Sequence, residues 1–170
     1  MPDAVTTDCF ALLGLPRRFA IERTTLDGAY RERARASHPD RHRLADAAAQ
    51  AAALTAATAL NDAYQTLKDP GRRAAHLLAL RGIDSTKLQA PAALLMQQMD
   101  WHEALDAARR RGDAAALERL GAELRTRLYA CTARLEGALD AEDAAAGALL
   151  LEFGALRRLL ERLADEEVDA

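Results

Sequence analysis

Ser37-His38-Pro39-Asp40-Arg41 gathers an imidazole, a carboxylate and a guanidinium around one proline. His38 and Asp40 could act as base and acid, and His38 with His42 could share a metal if both stood on one helix. Proline argues against both. It fixes its own φ, offers no backbone donor and pushes the preceding residue out of the α region, so a helix arriving here ends at or before His38. Pro39 also breaks the i, i+4 geometry that a His38 and His42 metal pair would need. The expected corner is tight and exposed, so it excludes no water, and neither a nucleophile nor a phosphate loop accompanies it. It can instead hold His38, Asp40 and Arg41 at the mouth of a helical hairpin, where a partner can touch them. The tripeptide alone is a weak signal, because turns collect proline and aspartate for conformational reasons.

The elements around the corner decide its meaning. Asp8 to Leu13 reads as a short apolar helix, with Thr6, Thr7 or Asp8 as N-cap and Gly14 as its stop. Thr24 can cap the next helix, with Asp27 at its positive end. At 100° per residue, Leu26 and Tyr30 fall on one side of that helix and Arg31 and Arg35 on the other. Arg33 lands on the Leu26 side, where it can bury its stem and keep its head in water. After the corner, Leu44 to Lys68 runs without proline or glycine. Its apolar stripe is Ala49, Ala53, Ala56, Leu60, Ala63 with Tyr64, and Leu67. Asp69-Pro70-Gly71 ends it, and Arg72 to Arg81 predicts a short helix with Leu77, Leu78 and Leu80 inward.

Residues 83–90 read as a connection. Beyond it, Pro91 opens a helix whose buried face is Leu94, Gln98, Trp101, Leu105 and Ala108, stopping at Gly112. Asp113 can cap a second helix carrying Leu117, Leu120, Leu124, Leu128, Cys131, Leu135 and Leu139. Asp140 can cap a third carrying Leu149, Phe153, Leu156, Leu160 and Leu163. Three amphipathic helices with short connections predict an antiparallel bundle. On the first of them Leu95, Met96, Met99 and Glu103 point away from the buried face. Flexible methionine beside acidic residues suits an adaptable contact surface, whereas a wide apolar stripe packed between two helices would give the same spacing.

The expected fold is therefore all-α, with 1–82 and 91–170 as separate domains joined by 83–90. Hydrophobic residues make up 50% of the 170, yet aromatics only 4%, so the helices pack closely on thin, alanine-rich cores. Lys+Arg at 23 against Asp+Glu at 26 gives a net charge of -3, which offers no global pull toward nucleic acid or anionic lipid. Cys9 and Cys131 are isolated, so no disulfide framework, metal motif or redox pair is read from them, and no cofactor is expected. Without a signal-like start or a membrane-length apolar run, the expectation is a soluble cytoplasmic protein.

This order of elements resembles a J-domain. The opening helix ends Leu12-Leu13-Gly14-Leu15, a basic helix leads to His38-Pro39-Asp40, and the return helix ends Leu60-Asn61-Asp62-Ala63-Tyr64-Gln65-Thr66-Leu67-Lys68-Asp69-Pro70. Three further runs are similar to the HscB family of J-type co-chaperones: Cys9-Phe10 with Gly14-Leu15-Pro16, Arg72-Arg73-Ala74-Ala75-His76-Leu77-Leu78, and Leu95-Met96-Gln97-Gln98-Met99. The likeness covers nearly the whole chain, and the absence of the paired cysteine motifs of eukaryotic relatives points to a bacterial-type member.

The resemblance implies that His38, Pro39, Asp40, Arg31, Arg35 and Arg41 dock an acidic surface of a DnaK-type chaperone, in this family HscA, and stimulate its ATP hydrolysis. It implies that the bundle holds the iron-sulfur scaffold IscU through Leu95, Met96, Met99, Asp100 and Glu103, and through Phe153 of the last helix. The spacing of Phe153 with Leu149 and Leu156 also suits a core residue. An adapter for a different client is the alternative. Neither reading makes the chain an enzyme, and a monomer or weak dimer is expected.

Overall fold

The computed structural model describes residues 7–36 and 47–165. Among the described residues there are seven α-helices, one 3-10 turn and no strand, in agreement with the all-α expectation. The chain divides into two compact units, Met1–Ile83 and Asp84–Ala170.

The first unit contains α1 (Cys9–Leu13), α2 (Arg23–Ala36), α3 (Ala47–Lys68) and α4 (Pro70–Leu80). Asp8 caps α1 by accepting the Phe10 and Ala11 N–H groups at 2.9 and 3.1 Å. Gly14 closes the helix with φ +69°, and the Leu15 N–H returns to the Phe10 carbonyl at 2.9 Å. A Cβ at Gly14 would stand 2.7 Å from Nη2 of Arg33, so this glycine supplies both the left-handed turn and room for a guanidinium. Arg33 thus reaches out to the end of α1, which is why an arginine is tolerated where α2 would otherwise favour an apolar residue.

Thr24 does not cap α2. The Leu26 N–H closes the first turn on the Glu22 carbonyl at 3.0 Å, so the helix begins at Arg23 with Thr24 inside it. On α3 the residues Ala53, Leu60, Ala63 and Leu67 are buried, but Ala56 is exposed, and the buried stripe is narrower than expected. α4 starts two residues before Arg72. Pro70 occupies the first turn, where no donor is needed, and Asp69 accepts the Arg72 N–H at 2.8 Å. Leu77 and Leu78 are buried as expected, and Leu80 is half-buried.

His76 locks α4 to α1. Its Nε2 accepts the Cys9 N–H at 3.1 Å, and its ring stacks on Phe10 at 5.8 Å. An accepting Nε2 places the proton on Nδ1 and requires a neutral ring. Burial depresses the His76 pKa, opposed by the Asp8 carboxylate and aided by Arg17. With its folded value below the ordinary 6.5, the unfolded chain binds the proton first as pH falls, so stability is complete above 6.5 and is lost below it until the folded value is passed. The urea midpoint of the first unit, read as the ellipticity transition that Trp101 fluorescence does not report, is expected to fall between pH 7 and 5.5, and His76→Phe is expected to flatten that fall. An equally steep fall in His76→Phe would assign the pH dependence elsewhere.

The second unit contains α5 (Ala92–Arg110), α6 (Ala114–Asp140) and α7 (Ala146–Ala164), each packed on the other two. Trp101, Leu105, Leu124, Cys131, Leu135, Leu139, Leu156 and Leu159 are buried and form the centre of its core. Gly112, at φ +62°, turns the chain out of α5, and Asp113 caps α6 by accepting the Ala116 N–H at 2.9 Å. Asp140 does not cap α7. It is the last residue of α6, and a turn with Glu142 at φ +56° follows, in which Asp143 accepts the Ala145 N–H at 2.8 Å. Within 83–90, Asp84 caps a 3-10 turn, and Leu88 packs where a Cβ on Gly147 of α7 would lie, 3.1 Å away. Arg109 Nη2 donates to the Arg162 carbonyl at 2.8 Å, so α5 and α7 end side by side.

Candidate functional site

The expected docking residues are divided by what the structure describes. His38, Pro39, Asp40 and Arg41 lie outside the described residues. Arg31 and Arg35 are exposed on α2, opposite buried Leu26. Arg31 Nε donates to the Asp27 backbone carbonyl at 3.0 Å, which lays the side chain along the helix. Gly28, Arg31, Glu32, Arg35 and Ala36 line one shallow depression on this face.

A cluster unforeseen from the sequence sets the rotation of that face. Tyr30 of α2 and Tyr64 of α3 stack at 4.4 Å. The Tyr64 hydroxyl donates to Asp27 Oδ1 at 2.8 Å, Arg23 Nε donates to the same oxygen at 2.7 Å, and Arg23 Nη2 donates to the Tyr64 oxygen at 3.1 Å. The hydrogen bond from Tyr64, with the Arg23 guanidinium, holds the Asp27 carboxyl below the usual range, and the same bond pushes the phenol up. Local spacing assigned Asp27 to the helix dipole. Of its two partners Arg23 lies four residues away on the same helix, but Tyr64 lies 37 residues away, and no local pattern signals that bond.

On α5 the expected client residues stand together. Leu95, Met96 and Met99 are 51%, 68% and 62% exposed, with Asp100 and Glu103 exposed beside them. Among the described residues six large apolar side chains are exposed, and these three fall within five positions, so the patch is a cluster and not scatter. Trp101 and Leu105 fix it from behind by occupying the core. Arg127 of α6 covers the Trp101 ring at 5.5 Å and donates to Gln97 Oε1 at 3.3 Å, which holds α5 at its flank.

Phe153 corrects the expected contact set. It is 4% exposed and lies in the core with Leu149 and Leu156, with the Arg157 guanidinium 5.8 Å from its ring. Its spacing along α7 turns it inward, and an aromatic ring held there offers no surface to a partner.

Burial, with the Glu152 charge, pushes the Cys131 thiol up to about 11, and its Sγ contacts the Leu149 carbonyl at 3.5 Å, so it is an inert core residue. Among the described residues no group of His, Cys, Asp or Glu could hold a metal ion, and no helix is long and apolar enough to cross a membrane.

The helices and their order correspond to known families. Residues 8–76 match the DnaJ domain, and residues 90–163 match the HSCB C-terminal oligomerisation domain. These matches, with the four helices among the described residues of the first unit, define a J-domain co-chaperone. A co-chaperone protein HscB homolog of Ralstonia nicotianae is 40% identical over 165 residues, covering 94% of this chain and 93% of that protein. A homolog from Chromobacterium violaceum is 45% identical over 135 residues, covering 78% and 76%. The chain belongs to the HscB co-chaperone family. Among solved structures, the chaperone HscB from Vibrio cholerae superposes with a TM-score of 0.83 at 31% identity, covering 96% of this chain and 99% of that one. Human HscB shares the fold, with a TM-score of 0.85 at 24% identity over 99% of this chain and 86% of that one.

Proposed function

We propose that this protein stimulates ATP hydrolysis by an HscA/DnaK-type chaperone and delivers an IscU-type iron-sulfur scaffold to it in the cytoplasm, assisting the maturation of iron-sulfur proteins without catalysis of its own. In this reading residues 1–82 dock the chaperone through His38, Pro39, Asp40, Arg31, Arg35 and Arg41. Residues 91–170 carry the scaffold on Leu95, Met96, Met99, Asp100 and Glu103. The observation that carries it is the exposed Leu95, Met96 and Met99 cluster on α5, in a chain whose two halves match a DnaJ domain and an HscB C-terminal domain. Exposed arginines set encounter rate and orientation with an acidic partner. The apolar cluster supplies the contact area for holding a client, and its flexible methionines adapt to the client's shape.

Single-turnover hydrolysis by the HscA-type chaperone tests the pairing. The protein and the scaffold together are expected to accelerate hydrolysis by more than the product of their separate effects. Acceleration by the protein alone, with the scaffold adding nothing, would move the client reading to another protein.

A further inference from the structure

We infer that Gly28 is a specificity-determining position, an open notch that lets the main chain of an acidic partner segment approach α2 to the level of its backbone, beside Arg31 and Arg35. This rests on the docking reading proposed above. Glycine is the least favourable residue after proline inside a helix, so its presence there asks for a reason. At Gly14 the reason is a positive φ and a nearby guanidinium, and at Gly147 it is the close packing of Leu88. At Gly28 nothing among the described residues requires it. The residue lies in the middle of α2, its φ is not positive, and an added Cβ would meet nothing within 4 Å.

What surrounds Gly28 is outward-facing. Positions 28, 31, 32, 35 and 36 share one helix face and line one depression, with Gly28 and Ala36 low at its ends and charged side chains between them. Arg31 is already laid along the helix by its bond to the Asp27 carbonyl, so its guanidinium flanks the notch without filling it. Two planar guanidiniums on this face suit carboxylates, which they can hold by paired hydrogen bonds. Glu32, the acidic group among the described lining residues, can accept an N–H from a main chain lying across it. The occupant that fits is a carboxylate-bearing segment of the ATPase chaperone, crossing at Gly28 with its acidic side chains toward Arg31 and Arg35. A side chain at position 28 would hold that segment off by the width of at least one methyl group.

Gly137 of α6 is also helical and open, and provides the comparison. Full-length Gly28→Ala, Gly28→Gln, Gly137→Ala and Arg31→Ala with Arg35→Ala are assayed for stimulation of the HscA-type chaperone, with urea midpoints measured on the same samples. Both glycine-to-alanine variants are expected to raise the midpoint, because alanine is the better helix former. Gly28→Ala is nevertheless expected to raise the concentration for half-maximal stimulation about fivefold, and Gly28→Gln further, from lost close approach. Gly137→Ala is expected to leave it unchanged. If both Gly28 variants match the wild type while the double arginine variant does not, the notch is wrong and the docking face stands. If the arginine variant also matches the wild type, the docking face is wrong and the notch falls with it.

Discussion

Replacing Asp40 with asparagine is expected to abolish stimulation of the chaperone's ATPase while leaving the protein folded. Asparagine keeps the size of the side chain and the turn preference of the position, so the change removes one charge and little else. The proposed complex requires that carboxylate to find one cationic group within the chaperone's otherwise acidic docking surface, shielded from water on docking. Truncating one member of such a hydrogen-bonded charge pair costs roughly 2–5 kcal/mol, much of it from leaving the other charge unpaired. That corresponds to a loss of about thirtyfold or more in productive docking. Single-turnover hydrolysis reads the loss, and unchanged circular dichroism excludes unfolding. A folded Asp40→Asn protein that stimulates like the wild type would remove the docking reading altogether.

The double substitution Met96→Ala with Met99→Ala is expected to weaken scaffold binding by roughly thirtyfold. Burying a methionine side chain against a partner is worth about 1.5–3 kcal/mol when complete. Both side chains are well exposed on α5 in the free protein, so each has this area to contribute, less what ordering its flexible stem costs. Taken together, a net loss of about 2 kcal/mol is a conservative figure. Calorimetry measures it directly. Because neither residue belongs to the core, the thermal midpoint is expected to stay within a degree or two of the wild type. A dissociation constant within about twofold of the wild type would reject this surface as the client face.

Most helices are legible in the sequence because their signals are local. Leucines at helical spacing mark α6 and α7, and Asp8, Asp69 and Asp113 stand at boundaries where their carboxylates accept main-chain N–H groups. The errors arise where a local rule met a competitor elsewhere. Asp27 looks like a first-turn carboxylate for a helix capped at Thr24, yet Tyr64 and Arg23 claim it. Asp140 looks like a cap but is the last residue of α6, and it is Asp143 whose carboxylate accepts a main-chain N–H ahead of α7. The α5 patch is legible because Leu95, Met96 and Met99 break an otherwise clean amphipathic pattern. Spacing puts Phe153 in the apolar stripe of α7 while the family resemblance implies a contact role, and the packing of α7 places it in the core. The meaning of Gly28 is invisible without coordinates, because it depends on finding empty space around it.

The lone tryptophan of the chain is Trp101, buried in the second unit beneath Arg127. Its fluorescence therefore watches the bundle alone, whereas ellipticity counts helices from both units. A denaturant titration recorded both ways on one unlabelled sample separates the two melting steps wherever they differ. The same emission serves as a built-in check that a substitution on the first unit has left the second undisturbed.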